Sequence, residues 1–270
     1  MLTARQQHCL RGIGIQLWRE RDSADTEVIT TAAEADPGAE AGAAFADVAG
    51  ELPVPELAQP AGSPPAETAG GETRPETVAR PVPVPAALDS WDKVIAAINA
   101  CTACELSQNC TQKVPGVGDR HADLLIVGEG PGHDEDIQGE PFVGRSGQLL
   151  DRMLAAIGFD RQQVYITNIV KCRPPNNRDP RPEEAEQCRA YLEAQIKLIA
   201  PRAILSVGRV SAHNLLGSDQ PVGKLIRQSH TLPGTDIPVK VTYHPAYLLR
   251  NPSAKAIAWQ DLKLLYQMLQ

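Results

Sequence analysis

The sequence is poor in aromatic residues and has no long apolar run. Only 4% of its 270 residues are Phe, Trp or Tyr, and no stretch approaches the roughly 18 apolar residues of a membrane-spanning helix. The N-terminus carries arginines but no apolar core followed by a cleavage site, so no secretory signal is predicted. Six cysteines are too few for a disulfide scaffold. These absences predict a cytoplasmic protein without a membrane partner, in which the cysteines are reduced, metal-bound or catalytic.

The net charge of −7 is concentrated in one region. Residues 23–90 hold 12 acidic residues against 2 arginines, together with 17 Ala, 10 Pro and one aromatic residue, Phe45. A stretch of this composition buries too little apolar surface to offset its ordering entropy, so it is predicted to be a disordered linker. Residues 1–22 are predicted to be either a short docking helix or a frayed terminus. Residues 91–270 carry a net charge of +1, so the acidic total does not exclude an anionic partner.

Apolar runs and helical patterns alternate from Trp91 onward. Short continuous apolar runs predict strands at residues 124–127, 164–170, 203–207 and 239–243. Apolar positions at helical spacing predict helices near residues 91–98, 149–157, 182–199, 209–215 and 258–269. Strands alternating with helices are typical of a parallel sheet covered on both faces. The predicted fold is therefore α/β: a monomeric three-layer α/β/α sandwich with a mostly four-stranded parallel sheet.

Three polar features follow the predicted strands, where ligands bind in open α/β sheets. Asn168 lies near the end of the second strand and His244 directly follows the fourth. Taken singly, each feature is more simply explained as a turn, a satisfied core amide or a structural histidine. Together they predict a pocket that recognises a planar polar ligand and stabilises a developing negative charge. The loop after the first strand supplies backbone donors and reads Gly128-Glu129-Gly130-Pro131-Gly132.

Four cysteines form a second candidate site. Cys101 and Cys104 precede the first strand as a Cys-x2-Cys pair, Cys172 follows the second strand, and Cys188 lies on the next helix. Because these segments can face one another, four thiolates can converge. Such a set suits either zinc or an iron–sulfur cluster, and the spacing does not choose between them. Cys110 is a competing ligand, although a buried thiol is the simpler explanation for it.

Residues 101–270 closely resemble the family-4, iron–sulfur, uracil-DNA glycosylases. The resemblance rests on the order and spacing of the four cysteines and on the stretches Gly128 to Gly132, Gly139 to Gly147, Thr167 to Pro175 and His244 to Arg250. It implies a uracil-DNA glycosylase-like catalytic domain in residues 91–270, with a [4Fe-4S] cluster on Cys101, Cys104, Cys172 and Cys188. It also implies a bacterial base-excision repair enzyme that acts at the nucleoid. The reaction would hydrolyse the bond between uracil and deoxyribose in single- or double-stranded DNA and leave an abasic site.

The resemblance also implies roles for the pocket residues, once the nucleotide has been flipped out of the duplex. Phe142 would stack on the uracil face. The Asn168 amide would accept a hydrogen bond from N3–H and donate one to O4, a pattern that cytosine reverses. His244 would donate to O2, where charge builds as the bond breaks. The backbone of Gly128, Glu129, Gly130 and Pro131 would face the base.

The resemblance leaves two candidates for the residue that orients the attacking water. Family-1 enzymes carry Asp where this chain has Gly130, so Glu129 or Glu135 is the candidate here. Basic and apolar side chains near the pocket are expected to meet the DNA. Lys171 and Arg173 are predicted to contact phosphates, and Leu248 and Arg250 to enter or brace the duplex.

Two other functions stay open on the sequence alone. One is a non-catalytic repair scaffold with a degenerate glycosylase fold, and the other is a zinc-binding nucleotide enzyme of another class. In addition, Arg5, Leu10, Gly14-Ile15-Gln16 and Trp18 are similar to the start of the psi subunit of bacterial replicative polymerase. Residues 1–21 are therefore expected to dock the enzyme to a replication partner.

Overall fold

The structure is a computed structural model that describes residues 88–270. The predicted docking helix in residues 1–22 lies outside the described residues. So does the predicted linker of residues 23–90, apart from its last three positions. Among the described residues, no helix is both long enough and apolar enough to span a membrane.

A six-stranded sheet forms the centre of this part of the chain. The strand order is β1-β3-β2-β4-β6-β5; the four inner strands are parallel, and β1 and β5 are short antiparallel edges. The predicted α/β fold with four parallel strands is confirmed. The two edge strands escaped prediction because two residues carry no apolar alternation. The strands are β1 Val117–Gly118, β2 Leu124–Gly128, β3 Tyr165–Asn168, β4 Ala203–Val207, β5 His230–Thr231 and β6 Pro238–Thr242.

Helices connect these strands within residues 88–270. They are α1 Trp91–Asn99, α2 Leu106–Asn109, α3 His133–Gln138, α4 Arg145–Ala156, α5 Pro182–Ile199, α6 Arg209–Leu216, α7 Val222–Leu225, α8 Pro245–Arg250 and α9 Lys255–Met268. Three 3-10 turns lie at Arg161–Gln163, Pro175–Asn177 and Pro252–Ala254. The five predicted helices correspond to α1, α4, α5, α6 and α9. The short helices α3 and α8 have too few turns to show a period, yet both border the cavity described below.

Successive residues of the inner strands pack into two separate cores, as the period of a strand requires. In β2, Leu124 and Ile126 pack against α4, α8 and α9, whereas Leu125 and Val127 pack against α1, α5 and α6. Every residue of β2 is buried for this reason, and the strand reads as a continuous apolar run rather than an alternating one. The three layers of the predicted sandwich are therefore present.

The parallel strands end along one edge of the sheet. Gly128 at the end of β2 is paired with Asn168 at the end of β3, and Val207 of β4 is paired with Thr242 of β6. The residues that follow these positions must therefore meet at the same edge. This is the edge on which an α/β sheet presents its ligand site.

A buried ion pair fixes the strand that leads to this edge. The Lys240 ammonium lies 2.8 Å from Asp261 Oδ1 and donates to the Ile226 carbonyl at 2.6 Å. The Thr242 hydroxyl donates to Asp261 Oδ2 at 2.8 Å. Because the charges and the hydroxyl are mutually satisfied, β6 is held against α9 just before the chain turns at residue 244.

Candidate active site

An open cavity of about 1100 Å³ lies at the carboxyl ends of the parallel strands. It is bordered by the loops after β2, β3, β4 and β6. The structure thus brings together side chains that are far apart in the sequence. Its wall includes most of the pocket residues predicted from the sequence: Glu129, Gly130, Pro131, Phe142, Asn168 and His244.

Gly128 allows an aromatic ring to lie on the end of β2. A Cβ atom at this position would stand 2.7 Å from the Cε2 and Cζ atoms of Phe142. A Cβ at Gly130 would stand 2.8 Å from Val170 Cγ2. Both distances are too short for carbon atoms, so the close approach requires glycine at these positions.

Phe142 forms one wall of the cavity. Its side chain is buried, and its ring is stacked near that of His244, with centroids 5.5 Å apart and planes at 28°. The backbone at Phe142 has φ of 55°, the left-handed region that bulky residues rarely adopt. A flat apolar face is therefore presented beside an imidazole, as stacking on a planar base requires.

Asn168 lies at the end of β3, opposite Gly128 in the sheet register. It is 2% exposed and borders the cavity. Its backbone carbonyl accepts a hydrogen bond from the Lys171 ammonium at 2.7 Å. An amide held at this depth offers one donor and one acceptor to a ligand with the complementary edge.

His244 follows β6 and caps the N-terminus of α8. The Ala246 N–H donates to His244 Nδ1 at 3.1 Å. Burial, with a smaller contribution from the Arg250 charge, lowers the pKa of His244 to about 4. The ring is therefore neutral at pH 7, and with Nδ1 accepting, its proton is on Nε2. His244 is thus a hydrogen-bond donor that carries no charge.

Glu129 connects the loop after β2 to the start of α6. Its Oε1 accepts the Val210 N–H at 3.0 Å, a favourable place for a carboxylate at a helix N-terminus. Burial, and next the Asp179 charge, raises the pKa of Glu129. Its second carboxylate oxygen, Oε2, is the one not used by this hydrogen bond.

Glu135, the second candidate for orienting water, accepts backbone N–H groups on both of its carboxylate oxygens. Its Oε2 accepts the Gly132 N–H at 3.1 Å, and its Oε1 accepts the N–H groups of Val143 and Gly144 at 3.1 and 3.3 Å. Three backbone donors therefore surround one buried carboxylate. These contacts join the loop at residues 128–132 to the segment that follows Phe142. The Glu135 carboxylate therefore holds two loops together.

Lys171 does not meet the solvent, so the prediction that it contacts DNA phosphates is wrong. Its side chain is 1% exposed. The ammonium donates to Thr167 Oγ1, the Asn168 carbonyl and Gln195 Oε1 at 2.7, 2.7 and 2.8 Å. Three internal acceptors compensate for its burial, which sequence spacing alone does not reveal.

Leu248 is also buried, at 1% exposed, and packs in the core against α4 and α9. The prediction that it enters the duplex is therefore wrong. The next residue, Leu249, is 37% exposed and borders the cavity. The sequence reads Leu-Leu at this point, and only the phase of the short helix α8 decides which leucine faces outward.

The other predicted DNA contacts lie at the surface. Arg250 is exposed and borders the cavity. Arg173 is partly exposed, with Nη1 at 3.1 Å from His133 Nδ1 and Nε donating to Asn177 at 2.7 Å. Arg145 and Tyr247 also border the cavity. The sequence reasoning did not single them out, although both lie within the motifs that carry the resemblance.

The structure gathers the cysteines on the α1 and α5 side of the sheet. Cys172 and Cys188 are buried there, and Cys101, Cys104 and Cys110 pack against the same core. Burial raises the pKa of Cys188 to about 11, and the neighbouring Cys104 and Cys101 thiols contribute to the shift. The pKa of Cys172 is raised by burial and by the adjacent Cys110.

The chemistry of this donor set fits an iron–sulfur cluster. Cys101, Cys104, Cys172 and Cys188, from three chain segments, share one apolar surrounding and would supply the four soft sulfur ligands that such a centre takes. Among residues 88–270, no three His, Cys, Asp or Glu side chains are arranged to hold a metal ion.

Comparison with known proteins bears directly on this cavity. Residues 115–263 match the family model of the Uracil DNA glycosylase superfamily. A type-4 uracil-DNA glycosylase of Archaeoglobus fulgidus is 43% identical over 184 residues, covering 65% of this chain and 92% of the relative. One of Thermotoga maritima is 43% identical over 170 residues, 62% of this chain and 88% of the relative. A type-5 enzyme of Pyrobaculum aerophilum is 29% identical over 153 residues, 51% of this chain and 67% of the relative.

The family model covers more than half of the chain. Together with the α/β sheet and the cavity at its carboxyl edge, this match defines a DNA glycosylase of the uracil-DNA glycosylase superfamily. Within the superfamily the chain belongs to the type-4 uracil-DNA glycosylases. The resemblance stated from the sequence is confirmed. The protein is an enzyme that removes uracil from DNA in repair.

Proposed function

We propose that this enzyme binds a flipped uracil in the cavity between Phe142, Asn168 and His244. The observation that carries the proposal is the convergence of these three residues, from three separate segments of the chain, on one cavity. Phe142 supplies an apolar face for the base. The cost of unstacking the base is a few kcal/mol, and contacts in the pocket offset it.

Asn168 selects uracil in this proposal. Its amide accepts from uracil N3–H and donates to O4. Cytosine presents an acceptor at N3 and a donor at C4, so both contacts would be reversed. Because Asn168 is buried, the unpaired groups would not find water, and discrimination by a site of this kind is large.

His244 stabilises the leaving group. As the glycosidic bond breaks, negative charge develops on uracil O2. A neutral imidazole with its proton on Nε2 donates a hydrogen bond to this oxygen without first losing a proton. The low pKa of His244, about 4, keeps the ring in this form throughout the neutral range.

Glu129 orients the attacking water in this proposal. It borders the cavity, and its Oε1 accepts the Val210 N–H. A buried carboxyl with a raised pKa is suited to accept a proton from water. Glu135 is less suited, because three backbone N–H groups occupy its two oxygens.

We propose that the cavity rim meets the DNA through Arg173 and Arg250, with Leu249 in the place predicted for Leu248. The arginines would contact phosphates, which positions the duplex without reading its sequence. Leu249 is the exposed leucine of the pair, so it is the one able to contact bases beside the flipped nucleotide.

Cys101, Cys104, Cys172 and Cys188 would hold a [4Fe-4S] cluster. Bound there, the cluster would tie together the segment before α2, the loop after β3 and helix α5. Glycosidic hydrolysis transfers no electrons, so we assign the cluster a structural role. Cys101→Ala should then lower solubility, thermal stability and cluster absorbance together. Survival of activity and stability after loss of the cluster would rule out this role.

A uracil-containing single-stranded oligonucleotide, with alkali cleavage of abasic sites, tests the proposed site. Protein with cluster absorbance should cleave the uracil strand and leave matched cytosine and thymine strands intact. Phe142→Leu, with a smaller and non-aromatic face, should lower kcat/KM. Arg202→Met, at a surface pair with Asp123 near the opposite ends of the strands, is the matched control and should act like wild type. Cleavage of the cytosine strand by wild type would contradict the role of Asn168.

The replication partner remains a proposal from the sequence, since residues 1–21 lie outside the described residues. A peptide of residues 1–21 should recover a clamp-loader component from a lysate. A control peptide with Leu10 and Trp18 changed to Ala should not. Recovery of no such component by the first peptide would contradict the proposed docking.

A further inference from the structure

The turn that presents Phe142 is held from outside the cavity. Phe142 has a left-handed backbone with φ of 55°, which side chains of its size avoid. A Cβ at Gly147 would overlap the Phe142 carbonyl, so α4 packs directly on this peptide. A conformation that is unfavourable by itself persists only where surrounding groups determine it.

Arg161 provides that constraint. It begins the 3-10 turn Arg161–Gln163, which follows α4. Its Nη1 donates to the Phe142 carbonyl at 3.2 Å, and its Nη2 donates to the Pro141 carbonyl. Its Nη1 also lies 3.1 Å from Asp151 Oδ1 on α4. One planar guanidinium thus binds the two consecutive carbonyls that bracket the Phe142 residue, a geometry that a lysine cannot reproduce.

The ring of Phe142 has little other freedom. The end of β2 blocks it on one side, since even a Cβ at Gly128 would be 2.7 Å from the ring. The His244 ring lies beside it, with centroids 5.5 Å apart. Rotation of the backbone at residue 142 would move the ring out of place, and Arg161 binds the two carbonyls that such a rotation would displace.

We propose that Arg161 is a positioning residue for uracil, acting through Phe142. Arg161 does not border the cavity, so it does not touch the base. It acts by keeping the aromatic face parallel to the place where the base binds, and a small misplacement of such a group lowers the rate strongly. The inference rests on the proposed stacking role of Phe142.

A double-mutant cycle separates this role from a merely structural one. The variants are Arg161→Met, Phe142→Leu and the combination, with Arg202→Met as the matched control. Each is assayed for kcat and KM on the uracil oligonucleotide, inhibition by free uracil, cluster absorbance and thermal midpoint. We expect Arg161→Met to lower kcat/KM by about 10- to 100-fold and to weaken inhibition by uracil.

The decisive result is the effect of Arg161→Met in the Phe142→Leu background. If Arg161 acts through the ring, this second substitution lowers kcat/KM by less than about 3-fold there. Full additivity of the two losses, or wild-type kinetics of Arg161→Met, overturns the inference while leaving the stacking role intact. Wild-type kinetics of Phe142→Leu would overturn both.

Two further variants distinguish the proposed role of Arg161 from a loss of folding. Asp151→Asn keeps Arg161 but weakens the ion pair that orients it, and Asp151 is 43% exposed, so the fold should tolerate it. A smaller loss in the same direction is expected, with an unchanged thermal midpoint. Arg161→Lys keeps the charge and loses the paired contact, so it should resemble Arg161→Met; full activity of Arg161→Lys would contradict the inference.

Discussion

The cavity at the carboxyl edge of the sheet and the group of cysteines on the α1 and α5 side are held in place differently. At the cavity, Glu129, Glu135 and His244 each accept backbone N–H groups from a neighbouring loop or helix. At the cysteine cluster, the thiols pack among apolar side chains. The polar contacts there go to sulfur: the Cys110 thiol lies 3.2 Å from the Lys113 ammonium and 3.8 Å from the Ser107 carbonyl. Backbone N–H groups also reach Cys104 and Cys188.

This difference indicates which of the two sites the protein orders without a bound group. At the cavity, backbone N–H groups orient the carboxylates of Glu129 and Glu135 and the ring of His244, with no bound group needed. The buried thiols have raised pKa values, so burial opposes the thiolate form that a metal ligand requires. The cavity should therefore control activity, and the cysteine cluster should control stability through what it binds.

Replacing a predicted cluster ligand should produce the largest effect. Cys188→Ser should abolish cluster absorbance and destabilise the fold by on the order of 5 kcal/mol or more, since the free energy of binding a metal centre contributes to folding. Iron content, visible absorbance and thermal midpoint are the measurements. Cys110→Ser, on the same core but outside the predicted ligand set, is the control and should keep the absorbance.

The opposite results would contradict the assignment of the ligands or of their role in stability. If Cys110→Ser loses the absorbance and Cys188→Ser keeps it, the ligand set is wrong. If Cys188→Ser loses the cluster and unfolds no more easily than wild type, the cysteine cluster does not control stability.

At the cavity, Asn168→Leu should affect activity rather than stability. The change keeps the approximate shape but removes the donor and the acceptor that read the base, so kcat/KM for the uracil strand should fall by about 10⁴-fold. The thermal midpoint and cluster absorbance should stay near those of wild type. Asn109→Ala, at an exposed position of α2, is the control. Near-wild-type cleavage by Asn168→Leu would remove Asn168 from the recognition of uracil.

The sequence predicted the fold well because its signals are local and strong. Four buried strands read as continuous apolar runs, and the rule for parallel sheets places their carboxyl ends together. Phe142, Asn168 and His244 were predicted to share a pocket on this basis together with the family resemblance. The two edge strands and the short helices α3 and α8 carry no comparable pattern.

The failures concern which way a side chain points. Lys171 follows a strand and looks like a surface charge, yet three acceptors from β3 and α5 receive its ammonium inside the protein. Leu248 and Leu249 are identical in the sequence, and the phase of α8 buries the first. Arg161 gave no signal, because its partners are backbone carbonyls 19 and 20 residues away.

Removing the imidazole should have a smaller effect on rate than removing the amide. His244→Ala loses the donor to uracil O2 and should lower kcat by about 10²- to 10³-fold, as loss of one preorganised donor does. His244→Gln retains an N–H donor and should recover part of this loss. Single-turnover rates measure the effect, and an equal loss for both variants would contradict the donor role.

The smallest expected effect is a dependence of stability on pH that comes from the cavity. The pKa of His244 is about 4 in the folded protein and about 6.5 when unfolded, so the unfolded chain binds more protons between these values. Stability therefore falls as pH decreases through this window and is unaffected by this group above it. From pH 7 to pH 4, wild type should lose about 1–3 kcal/mol more than His244→Gln, less than full burial would give because the ring is partly exposed.

Urea unfolding of both proteins across this pH range measures the difference, because the remaining groups titrate alike in the two proteins. His213→Gln, on α6, is measured alongside as the control for the loss of a histidine elsewhere in the fold. Parallel curves for wild type and His244→Gln would mean that the ring is not held neutral by the fold. In that case only the hydrogen bond from the Ala246 N–H to Nδ1 would hold the His244 proton on Nε2. The fold would then orient the cavity groups less completely than the contrast with the cysteines implies.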